Sequence, residues 1–264
     1  MVQQTRGWFD THCHLSLDEA IEKATQAATN GVSGLCIVGT DSLDGLQAVD
    51  SADNVNRLVS GTEAYVALGI HPHDAADPVK GDLSKLEDFV QAGPKRLVGI
   101  GECGLDYFYE HSPREKQLHH FEAQIDMAKR FGLTLVIHTR DAWDDTFSLL
   151  DDVGWPERVI FHCFVGGPAE AVRSIESGAW ISLSGILTFK NSDALREVAK
   201  LVPENRLLIE TDSPYLAPVP FRGRQNVPSY VAHVGMKVAE LRNCDESHIR
   251  HVLWQNSIAA FNIG

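Results

Sequence analysis

At 264 residues, 44% apolar and 22% charged, the chain has the composition of a globular protein large enough to bury a core without disulfide or metal staples. A net charge of −13 excludes a basic nucleic-acid coat protein, but not an enzyme acting on nucleic acid, because bound cations reshape the local field. Five cysteines without a CxxC pair argue against a disulfide framework or a cysteine zinc site; with no secretory h-region and no membrane-length apolar run, the expected setting is cytoplasmic.

The first predicted strand, 7–11, runs into Asp10-Thr11-His12-Cys13-His14. A helical segment over 17–30 follows and stops at Gly31. Strands are predicted at 34–38 and at 65–69, the latter leading to His71. The strand at 97–101 leads to Glu102, and Asp106 and Tyr107 lie in the loop beyond it. Ser112-Pro113-Arg114-Glu115 reads as a capping box, with proline at the first helical position. Leu118, Phe121, Ile125 and Ala128 then share one helical face, and Gly132 ends the element. The strand at 134–137 leads to His138 and Arg140, and the strand at 159–161 leads to His162. A helix after Pro168 stops at Gly178, followed by strands at 180–183 and 207–210, the last leading to Asp212. A proline-rich loop spans 213–229, and a final helix spans 246–261.

Continuous apolar runs such as LTLVIH and NRLLIE suit strands buried on both faces of a parallel sheet. Eight strand–helix units in this length, with no break in composition, predict an α/β fold: a (β/α)₈ TIM barrel forming a single domain over 1–264. The alternative is a doubly wound open sheet.

The polar residues follow the strands. His12 and His14 are two apart, so in an extended chain their rings point the same way. Glu102, His138, His162 and Asp212 each come just after an apolar run, at the end where barrels build active sites. Buried charged groups are costly unless they are paired or bind metal. Four histidines and two carboxylates exceed the needs of one tetrahedral zinc. They suit two cations sharing a carboxylate, with Glu102, midway round the barrel, as the natural bridge. The mixed nitrogen and oxygen set is compatible with zinc or manganese; magnesium prefers more oxygen. GIGECG lacks the spacing of a dinucleotide fingerprint, and there is no Walker loop and no nucleophile elbow.

At these residues the chain resembles the TatD family of metal-dependent deoxyribonucleases, a branch of the amidohydrolase-like barrels. FDTHCHL, GIHPHDA, GIGECGLDYFYE, IHTRDA, FHCFVGG, SLSGILTFK and LLIETDSPYLAP follow in the family's order, and NSIAAFNIG is similar to its last helix. The resemblance covers nearly the whole chain. It implies two divalent ions (zinc, manganese or magnesium) held by His12, His14, Glu102, His138, His162 and Asp212. It implies hydrolysis of DNA phosphodiester bonds by a two-metal-activated water, with Asp212 and Glu102 as the catalytic carboxylates. The expected partner is DNA, single-stranded or end-bound, with no membrane and no obligate protein partner. The alternative is an amidohydrolase-type enzyme acting on another ester, amide or phosphoester, since a fold does not select the bond.

Further candidates for substrate contact are His71, to hold a phosphate, and Asp106, to orient a ligand histidine, with Tyr107 beside it. Arg140 is a candidate to hold a phosphate or pair with an acid. Arg222 and Arg224 form a local basic spot. Phe164 and Tyr215 are candidates for stacking on a base. Cys13, between two metal-facing neighbours, is expected to point away.

Overall fold

A computed structural model describes residues 6–264. Eight strands, β1 (Trp8–Cys13), β2 (Val32–Gly39), β3 (Glu63–Leu68), β4 (Leu97–Asp106), β5 (Thr134–Arg140), β6 (Val159–Phe161), β7 (Trp180–Leu183) and β8 (Leu207–Ile209), pair in parallel in sequence order. Seven helices alternate with them: α1 (Ala20–Thr29), α2 (Asp44–Leu58), α3 (Leu83–Gln91), α4 (Arg114–Phe131), α5 (Trp143–Val153), α6 (Pro168–Glu176) and α7 (Asp193–Leu201). Then α8 (Val231–Arg242) and α9 (Glu246–Ala260) follow β8. Where β8 meets β1, Asp212 N donates to His12 O (2.9 Å) and His14 N to Ser213 O (2.8 Å). Thr11 Oγ1 donates to Ile209 O at 2.9 Å. The sheet therefore curls into a barrel, not an open doubly wound layer. No helix among the described residues is long and apolar enough to cross a membrane.

The core has two layers. Phe9, Val38, Val98, Val136, Ile160 and Leu208 fill the barrel interior with side chains from all sides. The alternate strand positions, such as Leu35, Val66, Leu135 and Ile181, pack outward on the helices. α9 plugs the N-terminal end of the barrel. Its Trp254 lies 5.5 Å from the Phe9 ring, and Phe261 just beyond it lies 6.1 Å away. Thr134 Oγ1 donates to Ala260 O at 2.6 Å.

The capping box predicted at 112–115 does not form. Pro113 precedes α4 without a side-chain cap. Ser112 Oγ instead donates to His73 O (2.8 Å) and accepts from Ala76 N (3.0 Å), tying together the loops after β3 and β4. Along α4, two buried glutamines do similar work. Gln124 receives Ile70 N (2.8 Å) and donates to Ile70 O; Gln117 receives Asp106 N (2.8 Å) and donates to Asp106 O. Both loops that carry site residues are thus hydrogen-bonded to one helix.

Two strands run further than their apolar cores, to Asp106 and to Arg140. Bulges interrupt the strand pairing at several places, two of them at the site. In β1, Asp10 pairs with Leu35 and Cys13 with Ile37, so three residues oppose two. In β4, Ile100 pairs with Leu135 and Cys103 with Ile137, again three against two. The extra step falls at His12 and at Glu102, and a bulge of this kind re-aims a side chain. Glycine is required beside the second bulge. Gly104 has φ +136, and a Cβ there would lie 2.0 Å from His138 O.

Candidate metal centre

Glu102 is 4% exposed, and its two carboxylate oxygens face different partners. Oε2 lies 3.2 Å from His12 Nε2 and 3.8 Å from His14 Nε2. Oε1 lies 2.8 Å from His162 Nε2, 2.9 Å from His138 Nδ1 and 3.3 Å from His71 Nε2. Asp212 Oδ1 lies 3.5 Å from His14 Nε2 and 3.9 Å from His12 Nε2. Bonds of about 2.0–2.2 Å to a tetrahedral cation space its donors about 3.3–3.6 Å apart. The six residues picked out in the sequence come together at 2.8–3.9 Å, a range that brackets this spacing, across both oxygens of one carboxylate.

In three of the rings the second nitrogen shows what the first can do. His14 Nδ1 lies 3.1 Å from Val38 O, which can only accept, so Nδ1 carries the hydrogen. The lone pair on its Nε2 then points at Asp212 and Glu102. His138 Nε2 lies 3.0 Å from Asp106 Oδ2, which leaves the Nδ1 lone pair facing Glu102. Bare lone pairs aimed at buried carboxylate oxygens repel unless a cation or a proton lies between them. This donor chemistry fits divalent cations. His71 differs. Its Nδ1 accepts from His73 N at 3.1 Å, so its Nε2 carries the hydrogen and donates toward Glu102.

The fields are strong. Burial resists ionisation of Glu102, but the imidazoles of His162 and His71 outweigh it and hold the carboxyl well below its usual range. Burial lowers the His12 imidazole, with His162 adding to the effect. His162 is raised well above its usual value, because Glu102 and Glu210 overcome the burial. Burial likewise resists ionisation of Asp212, but a hydrogen bond from His14 and nearby imidazoles hold it low.

Asp212 takes its place through an unusual backbone. Its φ of +56 lies in the left-handed region, which costs a non-glycine residue about 1–2 kcal/mol. Hydrogen bonds from Asp212 N to His12 O and from Tyr215 N to Asp212 O hold the turn.

A cavity of about 930 Å³ opens over the centre. His71, Asp106 and Arg140 line it. The Arg140 guanidinium lies 3.9 Å from the Phe108 ring centroid and 4.8 Å from that of Tyr109. Tyr107 turns outward: its hydroxyl donates to Asp145 Oδ2 at 2.6 Å, and Arg114 covers its ring. Arg222 lies on the Phe189 ring at 3.7 Å, and neither it nor Arg224 is among the residues lining the cavity. Phe164 is 1% exposed and packs 5.0 Å from Trp143, so it is a core residue, whereas Tyr215 is at the cavity mouth. Cys13 points away from the centre, its Sγ donating to Cys36 O at 3.4 Å.

Three residues given no role in the sequence reading belong to the surroundings of the centre. His73 Nε2 shares Asp106 Oδ2 with His138, at 3.0 Å. Glu210, fully buried, places Oε1 3.3 Å from His162 Nδ1 and receives Cys163 N at 2.5 Å. Asp10, also fully buried, receives Thr211 N (2.8 Å) and Thr211 Oγ1 (2.6 Å), which locks β1 to the chain just before Asp212. The signal for each was a polar residue two positions from a candidate site residue: His73 two after His71 in HPH, Glu210 two before Asp212 in ETD, and Asp10 two before His12 in DTH.

Comparison with known proteins places this geometry. A family model described as TatD related DNase matches residues 9–262. The uncharacterized metal-dependent hydrolase YabD of Bacillus subtilis is 36% identical, over 97% of this chain and 99% of the relative. The uncharacterized metal-dependent hydrolase YcfH of Escherichia coli K12 is 33% identical, over 96% and 95%. The crystal structure of YJJV, a TatD homolog from Escherichia coli K12, superposes with a TM-score of 0.87 at 28% identity, covering 97% of this chain and 98% of that one.

Proposed function

The chain belongs to the TatD-related DNase family of metal-dependent hydrolases, and on that premise we propose that it cleaves DNA phosphodiester bonds, with His12, His14, Glu102, His138, His162 and Asp212 as the residues that would hold two divalent cations. The observation that carries the reading is the division of labour on Glu102: Oε2 serves His12 and His14, Oε1 serves His138 and His162. Asp212 completes the first group. Such a pair of ions supplies an activated water and a charge clamp for an in-line displacement.

The chain's own residues do the rest. Asp212 faces the cavity and is held ionised, so its carboxylate accepts the proton of the attacking water. His71 lines the same cavity, and its Nε2 hydrogen, which faces Glu102 at 3.3 Å, can pass from that carboxylate to a phosphate oxygen as charge develops there. Asp106 holds His138 with the correct nitrogen inward. Arg140 supplies a guanidinium at the rim.

The test is a gel assay on end-labelled single- and double-stranded DNA, beside a phosphotriester and a dihydropyrimidine, with elemental analysis of the same preparation. About two equivalents of divalent metal per chain and cleavage of DNA alone are expected, with activity lost in excess chelator and regained on adding zinc or manganese. Full activity in excess chelator sinks the metal mechanism. Turnover of the dihydropyrimidine or the triester with intact DNA transfers the centre to another bond.

A further inference from the structure

We propose that Phe108 and Tyr109 on one side of the cavity mouth, and Tyr215 on the other, form a base-stacking rim that draws its affinity from nucleobases and not from backbone charge. The proposal rests on the DNA-cleaving function above.

All three rings line the cavity over the metal centre, and all three are open to solvent: Phe108 is 54% exposed, Tyr109 51% and Tyr215 63%. Exposed aromatics are unremarkable singly, but a cluster at the mouth of a functional cavity marks a contact surface. Their backbones are anchored by hydrogen bonds. Each tyrosine comes three residues after a carboxylate of the centre. Asp106 Oδ1 accepts from Phe108 N (3.0 Å) and Tyr109 N (2.9 Å), while its Oδ2 holds His138. Asp212 O accepts from Tyr215 N (2.9 Å), and Asn226 Nδ2 donates to Tyr215 O (2.6 Å). Both sides of the rim are thus tied to the residues that surround the reacting phosphate. A base stacked on either is placed relative to the centre, not merely bound near it.

Charge on the cavity wall points the same way. Among the described residues, Arg140 is the only lysine or arginine lining it, against six carboxylates, and its guanidinium is braced on Phe108 and Tyr109. A polyanionic backbone finds little there beyond the metal centre and this one cation. Each phosphate neutralised by a basic side chain adds about −0.7 to the slope of log affinity against log salt for a single strand. With one such contact on the wall, the salt dependence is shallow. Stacking on an aromatic ring contributes on the order of ten- to a hundredfold in affinity per base and is available only to bases that are not paired in a helix.

The experiment compares kcat/KM of the metal-loaded enzyme on a short oligothymidylate and on a base-free sugar-phosphate oligomer of the same length. The ratio of the two, measured on one preparation, cancels any difference in folded fraction. Wild type is expected to favour the base-carrying oligomer tenfold or more. Tyr215→Ala, and Phe108→Ala with Tyr109→Ala, each lower that ratio about tenfold or more through KM, and Tyr215→Phe restores it because stacking needs the ring and not the hydroxyl. Cleavage of both oligomers with a ratio unmoved by either alanine variant overturns the rim alone. A wild-type enzyme that cleaves neither oligomer overturns the DNA reading, and the rim with it.

Discussion

His71 and His138 approach Glu102 Oε1 at similar distances, 3.3 and 2.9 Å, yet their outer nitrogens are engaged in opposite senses. His138 donates outward to Asp106, so its inner nitrogen is free to bind a cation; His71 accepts outward from His73 N, so its inner nitrogen is an N–H. Separate effects follow from removing each ring. His138→Ala is expected to lose one equivalent of metal. His71→Ala is expected to keep full metal content and lose about 10²-fold in kcat, the usual cost of one donor aimed at a developing oxyanion. Asp106→Asn weakens metal binding about 10–100-fold, as for other groups that orient a ligand histidine. Elemental analysis and competition with a chromogenic chelator check all three, and a His71→Ala protein short of one ion would add His71 to the ligand set. Of the six proposed ligands, Glu102, His138 and His162 were legible because each directly follows an apolar run, His12 and His14 because they are two apart at a strand end, and Asp212 because it comes just past the last strand. Glu210 was not, because it reads as the end of the strand, and its link to His162 exists only once β6 and β8 lie near each other.

Among the elements, the bulges in β1 and β4 do most to build the centre, and they are what the sequence conceals. Alternation of apolar residues locates a strand but does not show where three residues will oppose two. GIGECG carried the clue in its glycines. At Gly104 both φ (+136) and the 2.0 Å approach to His138 O forbid a side chain, so strand β4 passes close beside the ligand-bearing part of β5. Gly132 after α4 offers the contrast: φ is +63, but nothing lies within 4 Å of where a Cβ would be. Gly132→Ala is expected to cost about 1 kcal/mol, the conformational penalty alone. Gly104→Ala adds a clash and is expected to cost ~3 kcal/mol or more, with loss of metal affinity because His138 is displaced. Urea midpoints and chelator competition test the pair. Equal costs at the two glycines, with metal binding intact, would show that the bulge tolerates a side chain. The capping box at 112–115 failed for a related reason: Ser112 had a tertiary partner in His73 O that outcompeted the helix end.

For the molecule as a whole, the centre makes stability depend on pH and metal together. In chelator-treated protein, Glu102 sits well below the ordinary carboxyl value of 4.5, because the surrounding imidazoles outweigh its burial. Its contribution is therefore complete above about 4.5 and is lost as pH falls through its folded value. His162 sits well above the ordinary imidazole value of 6.5, because Glu102 and Glu210 outweigh its burial. Its contribution is complete below about 6.5 and is lost as pH rises through its folded value. The metal-free protein is thus expected to gain most from this centre between about pH 4.5 and 6.5, and to lose some of that gain on the alkaline side as the imidazole gives up its proton. Metal reverses the alkaline loss. Cations held by these residues would bind the neutral imidazoles, compete with protons for the same lone pairs, and stabilise the folded state by mass action. The increment in thermal midpoint on adding zinc or manganese is therefore expected to be small near pH 5 and to grow steadily to pH 8. Thermal melts across that range, with chelator and with metal, measure both curves. An increment that does not change with pH would mean that protons and metal do not share these sites, and that the histidines around Glu102 are not the ligands.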